Sequence, residues 1–242
     1  MKLLGKITLM LAATALGSSA FAATTISFTL GGSVSSGYSN TGEAVAFTNN
    51  GITATLTGWS VNSQGVISAG RVSVWSSGVG VLNSRTDNSH TIDNSGWTDF
   101  LLLQFANPVR LEDAQFNAGW HSMNDTDATI GYGFASLDQI TSLNGETWSV
   151  PWLNTYQSGA AGASGNNTRN INPQGFNGTT WLIGASFANP DRRLDGFKLE
   201  RITVSAAVPE PTTWAMMILG FGFVGGAIRS AKRRQKVTVS YA

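Results

Sequence analysis

Apolar and polar residues alternate in short stretches through most of the chain. Thr24 to Leu30 puts Ile26, Phe28 and Leu30 on one face, the period-two pattern of a half-buried strand. Ala44 to Thr48 and Ile52 to Thr57 predict a hairpin across the turn pair Asn50-Gly51. Trp59 to Val61 continues the pattern, Gln64-Gly65 signals a turn, and Val66 to Ser68 is short and apolar. Arg71 to Trp75 alternates again, and Gly78 to Leu82 is small and tightly turning. Phe100 to Phe105 is nearly unbroken apolar sequence, which predicts a central strand covered on both faces. Asn107-Pro108 predicts a turn into Val109-Arg110-Leu111. Beyond it, Phe116, Ala118 and Trp120 share one face, as do Ile130, Tyr132 and Phe134. Gln157 to Thr180 is almost all Gly, Ala, Ser, Asn and Thr, and predicts a long surface loop open to proteolytic nicking. Thr180 to Phe187 and Phe197 to Val204 complete the strands. Between residues 23 and 208 there is no helical period of useful length and no repeat of fixed spacing. Short, closely spaced strands with turn signals predict an all-β fold, an antiparallel β-sandwich of jelly-roll type.

The two ends break this pattern. Lys2 and Lys6 precede an uncharged apolar stretch from Ile7 to Leu16, and Ala20-Phe21-Ala22 places small residues where a signal peptidase reads them. Residues 1–22 therefore read as a secretory signal peptide cut after Ala22, handled by signal peptidase and the general secretion machinery. At the other end, Thr212 to Ile228 is uncharged and predicts a transmembrane helix at the short end of the bilayer range. Trp214 suits an interfacial anchor, and the basic tail 229–242, with Arg229, Lys232, Arg233, Arg234 and Lys236, is expected to stay cytoplasmic. Pro209-Glu210-Pro211 keeps the stretch before the helix extended and open to a processing enzyme. The predicted organisation is a signal peptide over 1–22, a β-sandwich ectodomain over 23–208 and a C-terminal segment over 209–242.

Removing the ends changes the charge. The whole chain carries +1, yet residues 23–208 hold eight Lys and Arg against thirteen Asp and Glu. An acidic domain argues against nucleic acid, which asks for basic stripes, and leaves room for a divalent cation. The chain has no cysteine, so neither a disulfide nor lipoprotein acylation is available. Burial of aromatic and β-branched residues must hold the domain together.

Candidate chemistry follows from the densest polar stretches. Asp93, Asn94, Asp125 and Asp127 offer hard oxygen ligands suited to calcium, which takes six to eight of them; the alternative is that they cap turns. His90 and His121 are the only histidines, too few for a zinc site without thiols. No Gly-x-Ser-x-Gly places a nucleophile, and Glu112, Asp113 and Glu146 show no spacing that favours glycoside hydrolysis. Trp97, Trp148 and Trp152 are candidates for stacking on sugar rings, against the alternative that tryptophan is core. No catalytic residue is assigned.

Two resemblances sharpen the reading. The run from Pro209-Glu210-Pro211 through Trp214-Ala215 and the apolar stretch to Arg229 resembles the PEP-CTERM sorting signal in its PEP-x-x-Trp-Ala variant. That resemblance implies recognition by an exosortase, a membrane-embedded cysteine transpeptidase of Gram-negative exopolysaccharide producers, and removal of the tail near Pro-Glu-Pro. Val237 to Ala242 extend beyond the basic cluster, where such chains usually stop. Residues 78–135, with His90-Thr91-Ile92-Asp93-Asn94 and Asp125-x-Asp127, resemble the jelly-roll-like central segment of exosortase-dependent ectodomains. The expected protein is exported, passes through the inner membrane with its ectodomain in the periplasm, and ends at the cell surface or in the matrix. There it is expected to be a non-enzymatic structural or adhesive component associated with exopolysaccharide and biofilm. The alternatives are a carbohydrate-binding module, calcium-dependent or not, and a secreted hydrolase.

Overall fold

The computed structural model describes residues 23–31, 40–42, 44–83, 87, 89–118, 123, 125–141, 143–148, 153–158, 165–207 and 211–233. Residues 23–207 form one compact unit. In chain order its strands are β1 (Ala23–Thr29), β2 (Asn40–Gly42), β3 (Ala44–Asn49), β4 (Ile52–Val61), β5 (Ile67–Ala69), β6 (Arg71–Trp75), β7 (Gly78–Leu82), β8 (Ile92–Asp93) and β9 (Thr98–Ala118). After β10 (Ala128–Gly133) comes the short helix α1 (Leu137–Thr141), then β11 (Leu153–Ser158), β12 (Asn167–Asn170), β13 (Gly178–Ala185) and β14 (Gly196–Ala207). Among the described residues these strands join in a single 14-stranded sheet, and the pairings between named strands are antiparallel.

The long strand β9 carries the architecture. Its first half lies between β4 and β13, with Leu103 opposite both Leu56 and Trp181. Both faces are buried there. Leu101, Leu103 and Phe105 join the main core, while Phe100 and Leu102 join a second cluster with Trp59, Ile67, Ile140, Leu143 and Leu182. An unbroken apolar run is what two-sided burial requires. Its second half pairs with β12 and β14, so one strand passes from one neighbourhood of the sheet to another.

The passage occurs where a turn was expected. Instead of turning, the chain keeps strand through Ala106, Asn107 and Pro108, all exposed, and the pairing with β13 jumps from Gln104 to Val109. Proline has no N–H to give the ladder, so a bulge at this point costs the sheet little. A second irregularity leaves Glu112 without an opposite residue between Thr203↔Asp113 and Val204↔Leu111. It lets Leu111 and Ala114 both face the main core although three positions separate them.

Local signals explain the other joints. Asn50 and Gly51 have φ of 48° and 76°, the two positive angles of a type I′ hairpin turn, and β3 pairs with β4 around them in register. Gly80 lies against the chain at His90, where a Cβ would stand 2.0 Å from the His90 carbonyl oxygen.

The expected loop from Gln157 to Thr180 is only partly loop. β11 runs to Ser158, β13 begins at Gly178, and β12 lies between them, paired with β9 from Asn167↔Phe116 to Asn170↔Asp113. Ile171 is buried, and the Asn172 side chain bonds both the N–H and the carbonyl of Phe176. Small polar residues hid this order because their contribution is hydrogen bonding rather than an apolar period. Residues 159–164 lie outside the described set.

The C-terminal unit is described by itself. Its described part is α2 (Pro211–Arg233), which runs past the uncharged stretch and through the basic residues Arg229, Lys232 and Arg233. What stands over 212–228 is a helix. Among the described residues no helix is long and apolar enough to cross a membrane. Seventeen uncharged residues rise about 25 Å, short of a hydrocarbon core of about 30 Å.

Candidate functional site

Three connections meet around a buried acidic cluster. Asp125 and Asp127 precede β10, and Asp195 immediately precedes β14. Asp125 and Asp195 form an isolated parallel bridge, and the Gly196 N–H donates to the Asp125 carbonyl at 2.9 Å. All three carboxylates are buried, Asp195 completely, and an oxygen of each lies within 4.8 Å of the others. Asn94, just after β8, holds Asp195 from both sides. Its amide donates to Asp195 Oδ2 at 2.6 Å, and its Oδ1 accepts from the Asp195 N–H at 2.9 Å. The Ser186 N–H adds a bond to the same Oδ2 at 3.1 Å. The Asp127 N–H donates to Asp125 Oδ1 at 3.2 Å, an Asx-type turn.

One oxygen of each anchored carboxylate is thereby fixed and the other is left over. Asp125 Oδ2 and Asp195 Oδ1 are buried and have no donor, and Asn189 Oδ1 in the β13–β14 loop is in the same condition. Burial pushes the Asp195 carboxyl up to about 7, and the charges of Asp125 and Asp127 push in the same direction. Asp125 is likewise raised, by burial first, then by Asp127, and the nearby Asp191 adds to it. Arg169 on β12 is a cation whose charge acts on all three carboxylates. Its guanidinium lies 3.9 Å from the Phe116 ring centre and donates to the Thr126 carbonyl at 2.6 Å, to Asn167 Oδ1 at 2.7 Å and to Ser158 Oγ at 3.1 Å. Burial brings its pKa down to about 10 against the pull of Asp127, Asp125 and Asp195. The donor set is all oxygen, which suits a hard cation.

The second functional element is linear. Residues 207–234, from the last residue of β14 through α2, match the family model described as the PEP-CTERM protein-sorting motif. The chain is a PEP-CTERM protein. It is accordingly an exosortase substrate, exported and sorted at a membrane. No curated protein and no solved structure gives a match.

Within this PEP-CTERM chain the residues singled out from sequence fall in several places. Pro211, Trp214, Ala215, Arg229, Lys232 and Arg233 lie in α2, while Pro209, Glu210, Arg234 and Lys236, like Ala20 and Ala22, lie outside the described residues. Of the four proposed calcium ligands, Asp125 and Asp127 come together, and Asn94 touches the cluster through Asp195. Asp93 does not join them. Its carboxylate accepts from Thr91 Oγ1 at 2.6 Å, Ser89 Oγ at 2.9 Å and the Ser95 N–H at 3.0 Å, so it organises the turn into β9. Trp148 is partly buried, stacked 4.0 Å on Phe187 and edge-on to Phe100. That is a packing position rather than a platform for sugar. Trp97 is 37% exposed beside a cavity of about 280 Å³ that Asn83, Ser95 and Gly96 also line. Trp152 and His121 lie outside the described residues. His90 has φ of 51° and packs its ring on Trp75. Glu112 bonds Ser205 and pairs with Arg110 at 3.3 Å, Asp113 stands beside it on β9, and Glu146 is exposed in another loop.

Sequence reasoning missed Asp195, Asn189 and Arg169. The run Asn189-Pro190-Asp191-Arg192-Arg193-Leu194-Asp195 is a signal that stood in view, acidic residues at close spacing before a strand. Nothing local marks Arg169, because its role depends on which segment lies across from it.

Proposed function

We propose that this PEP-CTERM protein is exported through a signal peptide and held at the inner membrane by α2 with its β domain in the periplasm. An exosortase then releases it at the cell surface or into the extracellular matrix. There its β domain, a jelly-roll-like sandwich, serves as a non-catalytic structural or adhesive component associated with exopolysaccharide. The observation that carries this reading is the sorting motif at residues 207–234, which starts at the last residue of β14. Exposed Ile218, Leu219, Phe221 and Phe223 on α2 support membrane association, since apolar side chains on one helix call for an apolar partner. The non-catalytic reading is supported by the engagement of the acidic groups with one another and of His90 with Trp75.

The test is replacement of Pro209-Glu210-Pro211 by alanines in the native host. Full-length protein should then accumulate in the membrane fraction. Release at the wild-type rate would overturn the reading.

A second reading, a specific carbohydrate-binding module, is favoured by Trp97, whose exposed ring borders a cavity with polar neighbours. Its signature is loss of glycan binding in Trp97→Ala with the melting temperature unchanged.

A further inference from the structure

Burying carboxylates is costly unless a counter-charge and hydrogen bonds replace the lost water. At Asp125, Asp127 and Asp195 the hydrogen bonds that are made serve to aim the oxygens. Asn94 and Ser186 fix Asp195 Oδ2, and the Asp127 N–H fixes Asp125 Oδ1. Each leaves its sister oxygen buried and without a donor. Buried acceptors in that state are rare in folded proteins and ask for an explanation. Arg169 does not supply it. Its hydrogen bonds go to Thr126, Asn167 and Ser158, and its face is spent on Phe116. Asn189, in the loop that leads to Asp195, also carries an orphaned oxygen. It is not acidic, and it takes a left-handed backbone angle of 35°. The same loop runs from Ser186 and carries Asp191 beside Asp125.

We propose that Asp125, Asp127 and Asp195 hold one calcium ion, with Asn189 and Asp191 of the β13–β14 loop supplying further oxygens. Carboxylates and an amide carbonyl are hard donors, and no nitrogen or sulfur ligand is in the set, so zinc is disfavoured. Magnesium prefers to keep several waters in a tight octahedron, whereas calcium accepts six to eight protein oxygens in a flexible cage. Asn94 and Ser186 are positioning residues, the outer layer that orients a ligand. The ion ties together the entry to β9, the segment before β10 and the β13–β14 loop. Affinity in the range of extracellular calcium modules, about 10⁻⁴ to 10⁻³ M, is expected. This site stands independently of the sorting reading.

The experiment uses the full chain in mild detergent, stripped with chelator and titrated with calcium chloride, by calorimetry and by thermal unfolding. The expected result is a single binding event and a rise in melting temperature of about 5–10 °C when calcium exceeds its Kd a hundredfold. Magnesium chloride at the same concentrations should give a much smaller shift. Asp195→Asn keeps an acceptor for Asn94 and Ser186 and replaces the donorless oxygen with an amide. It should weaken calcium binding by at least about tenfold while melting no lower than the wild type in chelator. Asp191→Ala, on the partly exposed loop, should also weaken calcium binding, and it keeps the test decisive if Asp195→Asn fails to fold. No heat and no shift with calcium in the wild type would overturn the proposal, as would an equal response to magnesium or an unchanged calcium response in the variants.

Discussion

Lys198 shows how a single side chain can work against the fold that holds it. It is 1% exposed on β14, its ammonium donates to the His90 carbonyl, and it sits 5.2 Å from the Trp75 ring centre. Burial brings its pKa down to about 8, although Asp87 and Asp93 pull the other way. Below that pH the amine is charged in both folded and unfolded chains, and the burial cost is present in full. Above it the folded chain gives up the proton first, so the unfolded state binds more protons and stability rises with pH. Urea midpoints of the wild type should therefore increase between about pH 7 and about pH 9, relative to a Lys198→Met variant in which this term is absent. Parallel curves for the two proteins would show that the charge is stabilised by its surroundings. The acidic groups obey the same logic with opposite sign. Asp99, fully buried with Ser60 and Asn83 as partners, is raised well above the usual carboxylate range, by burial first and then by Asp93.

Among the elements, β12 owes its order to a few polar interactions. It is four residues long, its pattern alternates between half-buried and exposed, and it lies at an edge against β9. Arg169 anchors it through Thr126, Ser158 and the Phe116 ring. Arg169→Ala removes charge-assisted hydrogen bonds, a cation–π contact and a counter-charge that acts on three carboxylates. It should cost about 2–4 kcal/mol, read from denaturant unfolding. Amide exchange at Thr168 to Asn170 should speed up more than at Leu101 to Leu103, which lie in the doubly covered half of β9. Uniform acceleration would show that β12 opens only with the whole domain. The contrast with β9 is physical: β9 is secured by apolar burial on both faces, β12 by polar groups that water competes for.

At the scale of the whole molecule, a disulfide-free antiparallel domain leads directly into a sorting signal. The strands end at Ala207, and the sorting motif occupies residues 207–234, so along the chain the signal follows the β domain and leaves all but its last strand residue untouched. If the released protein is a matrix component, it should co-sediment with the exopolysaccharide of its own host. Co-sedimentation that a calcium chelator abolishes would make the ion part of adhesion, and co-sedimentation that persists would leave it a stabilising role. Absence of co-sedimentation in both conditions would remove the polysaccharide association and point to protein partners.

The linear sequence determined what depends on neighbours along the chain. Period-two alternation marked β1, β6 and β10, the apolar run marked the first half of β9, and Asn50-Gly51 specified the hairpin turn, because side-chain direction and φ are local quantities. The sorting motif was legible for the same reason: a processing enzyme reads it as a peptide. Only the tertiary structure decided how the acidic residues group. Asp93 and Asn94 are adjacent in sequence, yet one caps its own turn and the other holds Asp195, far downstream. Asp125 and Asp127 acquire their third carboxylate from the residue just before β14 and a counter-charge from β12. Burial and Coulomb interaction act through space, and they are set by which segments the sheet brings side by side.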